Sequence, residues 1–270
     1  MTDILNKTLN TGISNIFAMA SGTIFLENIK MEKQRTNDLY KNIIKKFYKN
    51  GISGYLSGFY PYGALSGFLK GCSIGLSSNL IDKNLKMDNI YYKKIITGIG
   101  TGITESLVMN PLMMSRNLSN KILIENVNRI NLRQQQSLVL EYYKKFLKNH
   151  GITYFYKGLP TLIMKRSVDW AARFYFIEKV ENMYKKYINS KYTLKDKIIC
   201  TFAGAMLTMP ITTPFDRFIP VIYESGYKRA VEIIKRDGFR SLYTGGSVRV
   251  INIGLYTTYI MCFPQIVQLK

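Results

Sequence analysis

Gly151-Ile152-Thr153-Tyr154-Phe155-Tyr156-Lys157-Gly158 sets two glycines around an aromatic residue, and Gly238-Phe239-Arg240-Ser241-Leu242-Tyr243-Thr244-Gly245 repeats the arrangement. A third stretch, Gly51 to Leu56-Ser57-Gly58, keeps both glycines. The separations, about 100 residues from Gly51 to Gly151 and 87 from Gly151 to Gly238, mark an internal triplication. A repeat on that scale decides the architecture before any local pattern is read. The units are residues 1–88, 89–190 and 191–270.

Working outward, each glycine pair follows a basic stretch with helical apolar spacing: Leu39 to Phe47, Leu140 to Leu147 and Tyr227 to Arg236. These are short amphipathic helices with an apolar stripe on one side and lysines on the other. Around them lie six weakly polar segments rich in Gly, Ala, Ser, Thr and Met: 11–30, 60–81, 95–115, 159–178, 198–219 and 248–267. Spans of about 20 residues suit a bilayer.

None of the six is uniformly apolar, and mean hydropathy is close to zero. Glu27, Lys30, Lys70, Glu105, Arg116, Lys165, Arg166, Asp169, Arg173, Asp216 and Arg249 fall inside them. Such charges are too costly to face lipid, so they line a wet interior or pair there. Small residues such as Gly98 to Gly102 and Ala203-Gly204-Ala205 let helices approach closely. The pattern is that of a transporter and not of an anchor.

The chain has 38 Lys and Arg against 17 Asp and Glu, a formal charge of +21, concentrated between the spans as expected for loops facing anionic lipid. Nucleic acid is the rival partner for this charge, but no nucleic-acid-binding signature accompanies it, and none is expected to bind. Cys72, Cys200 and Cys262 are far apart and odd in number, which speaks against a disulfide framework or a metal site. With His150 alone of its kind and no phosphate-cradling glycine loop, nothing points to an enzyme or to a cofactor. The early Asp3 and the missing charged-then-apolar block predict no cleaved presequence.

Taken together these residues resemble the mitochondrial carrier family, whose members have three tandem repeats. Each repeat has an odd helix ending in Pro-x-acid-x-x-base, a short matrix helix, a Gly-x4-aromatic-base-Gly motif and an even helix. The resemblance covers nearly the whole chain. Its odd-helix motifs are Phe25 to Lys30, Pro111 to Arg116 and Pro214 to Ile219, each imperfect. It implies an all-α membrane protein: six transmembrane helices in a three-fold pseudo-symmetric bundle with short matrix helices, a monomer in the mitochondrial inner membrane. Cardiolipin would sit at Gly51, Gly58, Gly151, Tyr156, Lys157, Gly158, Gly238 and Gly245.

Carried over residue by residue, the resemblance implies a matrix gate of Glu27 with Arg116 and Asp216 with Lys30, Gln34 bracing beneath. The third pair becomes Met113 with Ile219, an apolar contact, a replacement that can be energetically neutral. Pro111 and Pro214 should bend their helices. Phe25 in place of the first proline predicts a straighter first helix, or one bent by other means. On the cytosolic side Glu178 meets Glu181 in the basic slot, and Ser78 with Ile81 and Pro264 with Val267 complete no ion pair, so that gate is expected to be apolar.

Arg166, Asp169, Trp170 and Arg173 recur on one helical face with Lys165 beside them. Lys165-Arg166 fall where the family contacts its substrate, and Lys70 and Arg249 extend the positive cavity. The excess of cations favours a multiply charged anion. Nucleotides or deoxynucleotides are the first expectation, with Trp170, Tyr175, Tyr256 and Tyr259 as bases' stacking partners. Di- and tricarboxylates are the alternative, because residues 102–111 and the Lys165 with Arg173 pattern resemble carboxylate carriers. The mechanism implied is exchange by alternating access, and a transport-inactive protein of the same fold is the remaining alternative.

Overall fold

Glycine at the head of each repeated motif has a backbone reason. Gly51, Gly151 and Gly238 have φ of 56°, 70° and 74°, and the one described second glycine, Gly245, has 82°. L side chains rarely adopt that region. The first glycine of the motif therefore takes a positive φ in all three copies. A computed structural model describes residues 2–36, 38–49, 51–55, 59, 62–125, 159–188, 192–216 and 235–268, together with 137–138, 140–141, 144–145, 147–149, 151, 156, 228 and 231–232.

Every regular element among the described residues is helical. Helix α1 (Thr2–Ala18) runs through a π turn (Met19–Thr23) into α2 (Ile24–Thr36). The short α3 (Tyr40–Tyr48) and α4 (Gly51–Tyr55) lead to α5 (Tyr62–Asn84), α6 (Ile90–Glu125) and α7 (Leu159–Tyr187). The fifth long segment is broken into α8 (Leu194–Met206) and α9 (Met209–Asp216), inclined at 52°. A 3₁₀ turn (Phe239–Tyr243) precedes α10 (Gly246–Gln268). Long segments adjacent in the chain pack on one another, α1 on α5, α5 on α6, α6 on α7, α7 on α8 and α8 on α10, and α10 returns to α1. The packing closes a ring.

Glycine sets the spacing at one of these joints. A Cβ at Gly98 would fall on the backbone of Ala171, and one at Gly102 on the backbone of Ser167, so α6 and α7 touch main chain to main chain. At the next joint Thr193 and Asp196 form a reciprocal capping box at the start of α8. Tyr184 near the end of α7 donates its hydroxyl to Asp196 at 2.7 Å. These bonds hold the Asp196 carboxyl below its ordinary range, the Thr193 hydroxyl contributing most.

The bends have identifiable causes. In the first segment, where Phe25 replaces the proline, the π turn supplies the break, with Gly22 at φ 114°. A side chain there would meet the Tyr55 hydroxyl. In the fifth segment the break precedes Pro210 and does not fall at Pro214 as the motif predicts, because Pro210 begins a new helix where a missing N–H is harmless. Pro214 instead deprives the Pro210 carbonyl of its helical donor. Tyr243, the motif aromatic of the third unit, donates its hydroxyl to that carbonyl at 3.0 Å. Pro111 lies within α6, which continues to Glu125.

Of the short amphipathic helices, α3 buries Ile43 and Phe47 against Ile29, with Phe25 and Val248 alongside, and leaves Lys41, Lys45 and Lys46 exposed. The described residues of the second and third stretches are helical too, including 147–149 and 235–237.

Among the described residues no single helix is long and apolar enough to cross a membrane, and α8 with α9 reach that composition only as a bent pair. Helix α6 explains why. Ile96, Ile99, Ile103 and Leu107 form one exposed stripe, while Thr97, Thr101, Glu105 and Ser106 are buried on the other side. Half the helix is apolar and it faces outward, the reverse of a soluble helix.

Candidate functional site

The buried polar faces meet inside the ring. Lys30 from α2, Lys70 from α5, Lys165, Arg166, Asp169 and Arg173 from α7, Asp216 from α9 and Arg249 from α10 line one cavity, with Glu27, Asn252 and Tyr256. Lys165, Arg166, Asp169 and Arg173 share it because spacings of one, three and four residues keep one helical face. The open volume is about 80 Å³, well under the roughly 300–1,000 Å³ of ordinary small-molecule sites.

Three carboxylates organise the cations. Asp216 is 2% exposed. It holds Lys30 at 2.9 Å and also pairs with Lys165 and Arg249. Asp169 takes Arg249 at 3.0 Å and Arg173 at 3.8 Å. Glu105, fully buried, lies 3.4 Å from both Lys70 and Arg166 and accepts a hydrogen bond from the Trp170 indole. Arg249 thus links the Asp216 cluster to the Asp169 cluster, and the charges form a chain across α2, α9, α10 and α7. Arg173 is the least satisfied cation: its Nε and Nη1 have no hydrogen-bond partner among the described residues.

Of the residues singled out from sequence, Lys70, Lys165, Arg166, Asp169, Arg173 and Arg249 line the cavity. Trp170 does not. It packs with Ile74, Phe174 and Ile260 in a core cluster, its ring under Arg173, because the helical step from Asp169 turns it toward α5 and α10. The other proposed stacking aromatics are engaged as well: Tyr175 with Tyr91, Tyr259 with Phe263, and Tyr256 beneath the Lys70 ammonium at 4.2 Å.

For the gate residues, Lys30 and Asp216 are paired and Glu27 lines the cavity. The Arg116 and Met113 side chains and Ile219 lie outside the described residues, and so do Gly58, Lys157 and Gly158. Gln34 does not brace the Lys30 pair. Its side-chain amide donates to the Thr244 carbonyl at 3.3 Å, since a helical turn beyond Lys30 brings it to the Gly245 turn. At the opposite end Glu178 accepts from Asn182 on its own helix at 3.3 Å. Glu105 is the organising residue that the substrate and gate motifs passed over. Its signal was an acid among Gly, Ile and Thr in the middle of a span.

Comparison with known proteins agrees with the geometry. The profile of the mitochondrial carrier protein family matches residues 88–188. The chain is 27% identical, over 92% of its length, to the mitochondrial aspartate-glutamate transporter of Saccharomyces cerevisiae, and covers 30% of that protein. It is 30% identical over 42% of its length to solute carrier family 25 member 3 of Bos taurus, covering 33% of it. Against the succinate/fumarate mitochondrial transporter of Saccharomyces cerevisiae the identity is 24% over 58% of the chain and 53% of the relative. The chain therefore spans between about a third and about half the length of these relatives. With the carrier profile lying across the second glycine motif and similarity to a carrier extending along most of the sequence, the chain is similar to members of the mitochondrial carrier family.

Proposed function

We propose that the protein is an exchanger of small dicarboxylate anions, working by alternating access as a six-helix, pseudo-symmetric bundle. Its location is the mitochondrial inner membrane, as for the family. The observation that carries the substrate class is the charge of the cavity lining. Lys30, Lys70, Lys165, Arg166, Arg173 and Arg249 line the cavity with Glu27, Asp169 and Asp216, and Glu105, outside the lining, pairs with Lys70 and Arg166, which makes six cations against four carboxylates. Two positive charges remain, which a dicarboxylate neutralises and a nucleoside triphosphate overshoots. Nucleotides lose further support because, among the described residues, the one aromatic that lines the cavity, Tyr256, already has the Lys70 ammonium over its ring. Two of the relatives carry carboxylates in their names, aspartate-glutamate and succinate/fumarate.

Arg173, with two donors to spare, is the first landing point for a substrate carboxylate; Lys70 and Arg249 are candidates for the second. Lys30 with Asp216 closes the matrix side, and the Gly51, Gly151 and Gly238 turns, open around each Cα, suit a lipid phosphate such as cardiolipin's. Exchange follows because an empty cavity has no anion to offset the opening of its ion pairs. The test is uptake into liposomes of labelled succinate, oxoglutarate, aspartate, ADP and dATP, with and without internal substrate. Dicarboxylate uptake that requires internal dicarboxylate is the expected result; uptake confined to nucleotides refutes the substrate class, and no flux favours a transport-inactive carrier.

A further inference from the structure

The gate acid is also bound to the substrate site. A matrix gate needs Asp216 to hold Lys30 alone, yet Asp216 pairs with Lys165 and Arg249 as well. One carboxylate therefore ties α2, α7, α9 and α10 together. The open volume of about 80 Å³ leaves little room beside these groups, so an anion reaches Lys165 and Arg249 by displacing what they already hold. We infer that Asp216 is the internal competitor of the substrate: the incoming carboxylate takes Lys165 and Arg249 from Asp216, and that exchange of partners releases the clasp on four helical stretches. Binding and gate opening are one ion-exchange event at one residue. The assignment rests on the exchanger reading but not on the substrate class, since any anion that uses these two cations must displace Asp216.

Competition of this kind lowers apparent affinity by the fraction of time the cations are free, and removing the competitor restores it. Asp216→Asn should lower the KM for uptake by about threefold or more and allow uptake without internal substrate. Lys30→Gln breaks only the gate pair, leaves Asp216 on Lys165 and Arg249, and should give the leak without the fall in KM. Asp216→Ser repeats the charge deletion should the asparagine variant fail to fold. A KM unchanged or raised in the Asp216 variants, or lowered equally by Lys30→Gln, overturns the inference. The KM is measured with whichever of succinate, oxoglutarate, ADP or dATP the unaltered protein takes up. Nucleotide uptake would thus remove the dicarboxylate reading while still testing Asp216. If no anion moves, thermal shifts with succinate and with ADP give the same affinity comparison, and no binding by any variant overturns both.

Discussion

Arg173 lines the cavity and Glu105 is buried behind the lining, and the two charges stand in opposite situations. Glu105 has no exposure and is surrounded by Lys70, Arg166 and the Trp170 indole; its removal strands two cations in a dry interior. Glu105→Ala should therefore lower stability by about 3–5 kcal/mol, the usual loss when one partner of a buried pair is deleted. Arg173 is held by one distant carboxylate and by the Trp170 ring. Arg173→Ala should cost only about 1–2 kcal/mol, mainly in packing on the ring, while abolishing uptake. Melting temperature and liposome uptake, measured together on both variants, separate the roles. An Arg173→Ala protein that transports normally would remove Arg173 from the substrate path.

Among the elements, the third odd segment shows how a motif can be right in composition and differ in its consequence. Pro214 does not itself mark the bend, which lies before Pro210. What Pro214 does is leave the Pro210 carbonyl to be claimed by Tyr243 from the glycine motif of the same unit. The bent segment is thus tied to the turn that leads into α10. Tyr243→Phe keeps the ring and removes the donor, and should destabilise by about 1 kcal/mol, the worth of one hydrogen bond. Hydrogen exchange should rise across 209–216 and not across α6; unchanged protection at 209–216 would show that the tie is not structural. The first segment needs no such device, because its π turn and Gly22 break the helix where the proline is missing.

At the scale of the whole molecule, the outer surface carries the membrane argument. Ile103 is exposed on the outward stripe of α6, opposite Thr101 and Glu105. In a bilayer, Ile103→Lys near the middle of the span should cost roughly 2.5–3.5 kcal/mol of insertion, seen as reduced membrane-integrated protein after alkaline extraction. A protein bathed in water would tolerate the same change with little effect. Much of this architecture was legible in advance. Gly51, Gly151 and Gly238 were readable as turn positions because they take positive backbone angles that L side chains rarely adopt. Charges inside weakly polar spans require a shared interior because lipid will not solvate them. The residue pattern alone therefore yielded the helical class and the membership of Lys70, Lys165, Arg166, Asp169, Arg173 and Arg249 in one polar interior. The partners of these side chains came from the folded ring. That Trp170 turns into the core, that Gln34 serves a loop, that Glu105 gathers two helices, and that Asp216 holds three cations from three helices all depend on contacts between residues far apart in the chain. Local periodicity says which face a side chain occupies, whereas the distance to an opposite charge on another helix is set by how the ring closes.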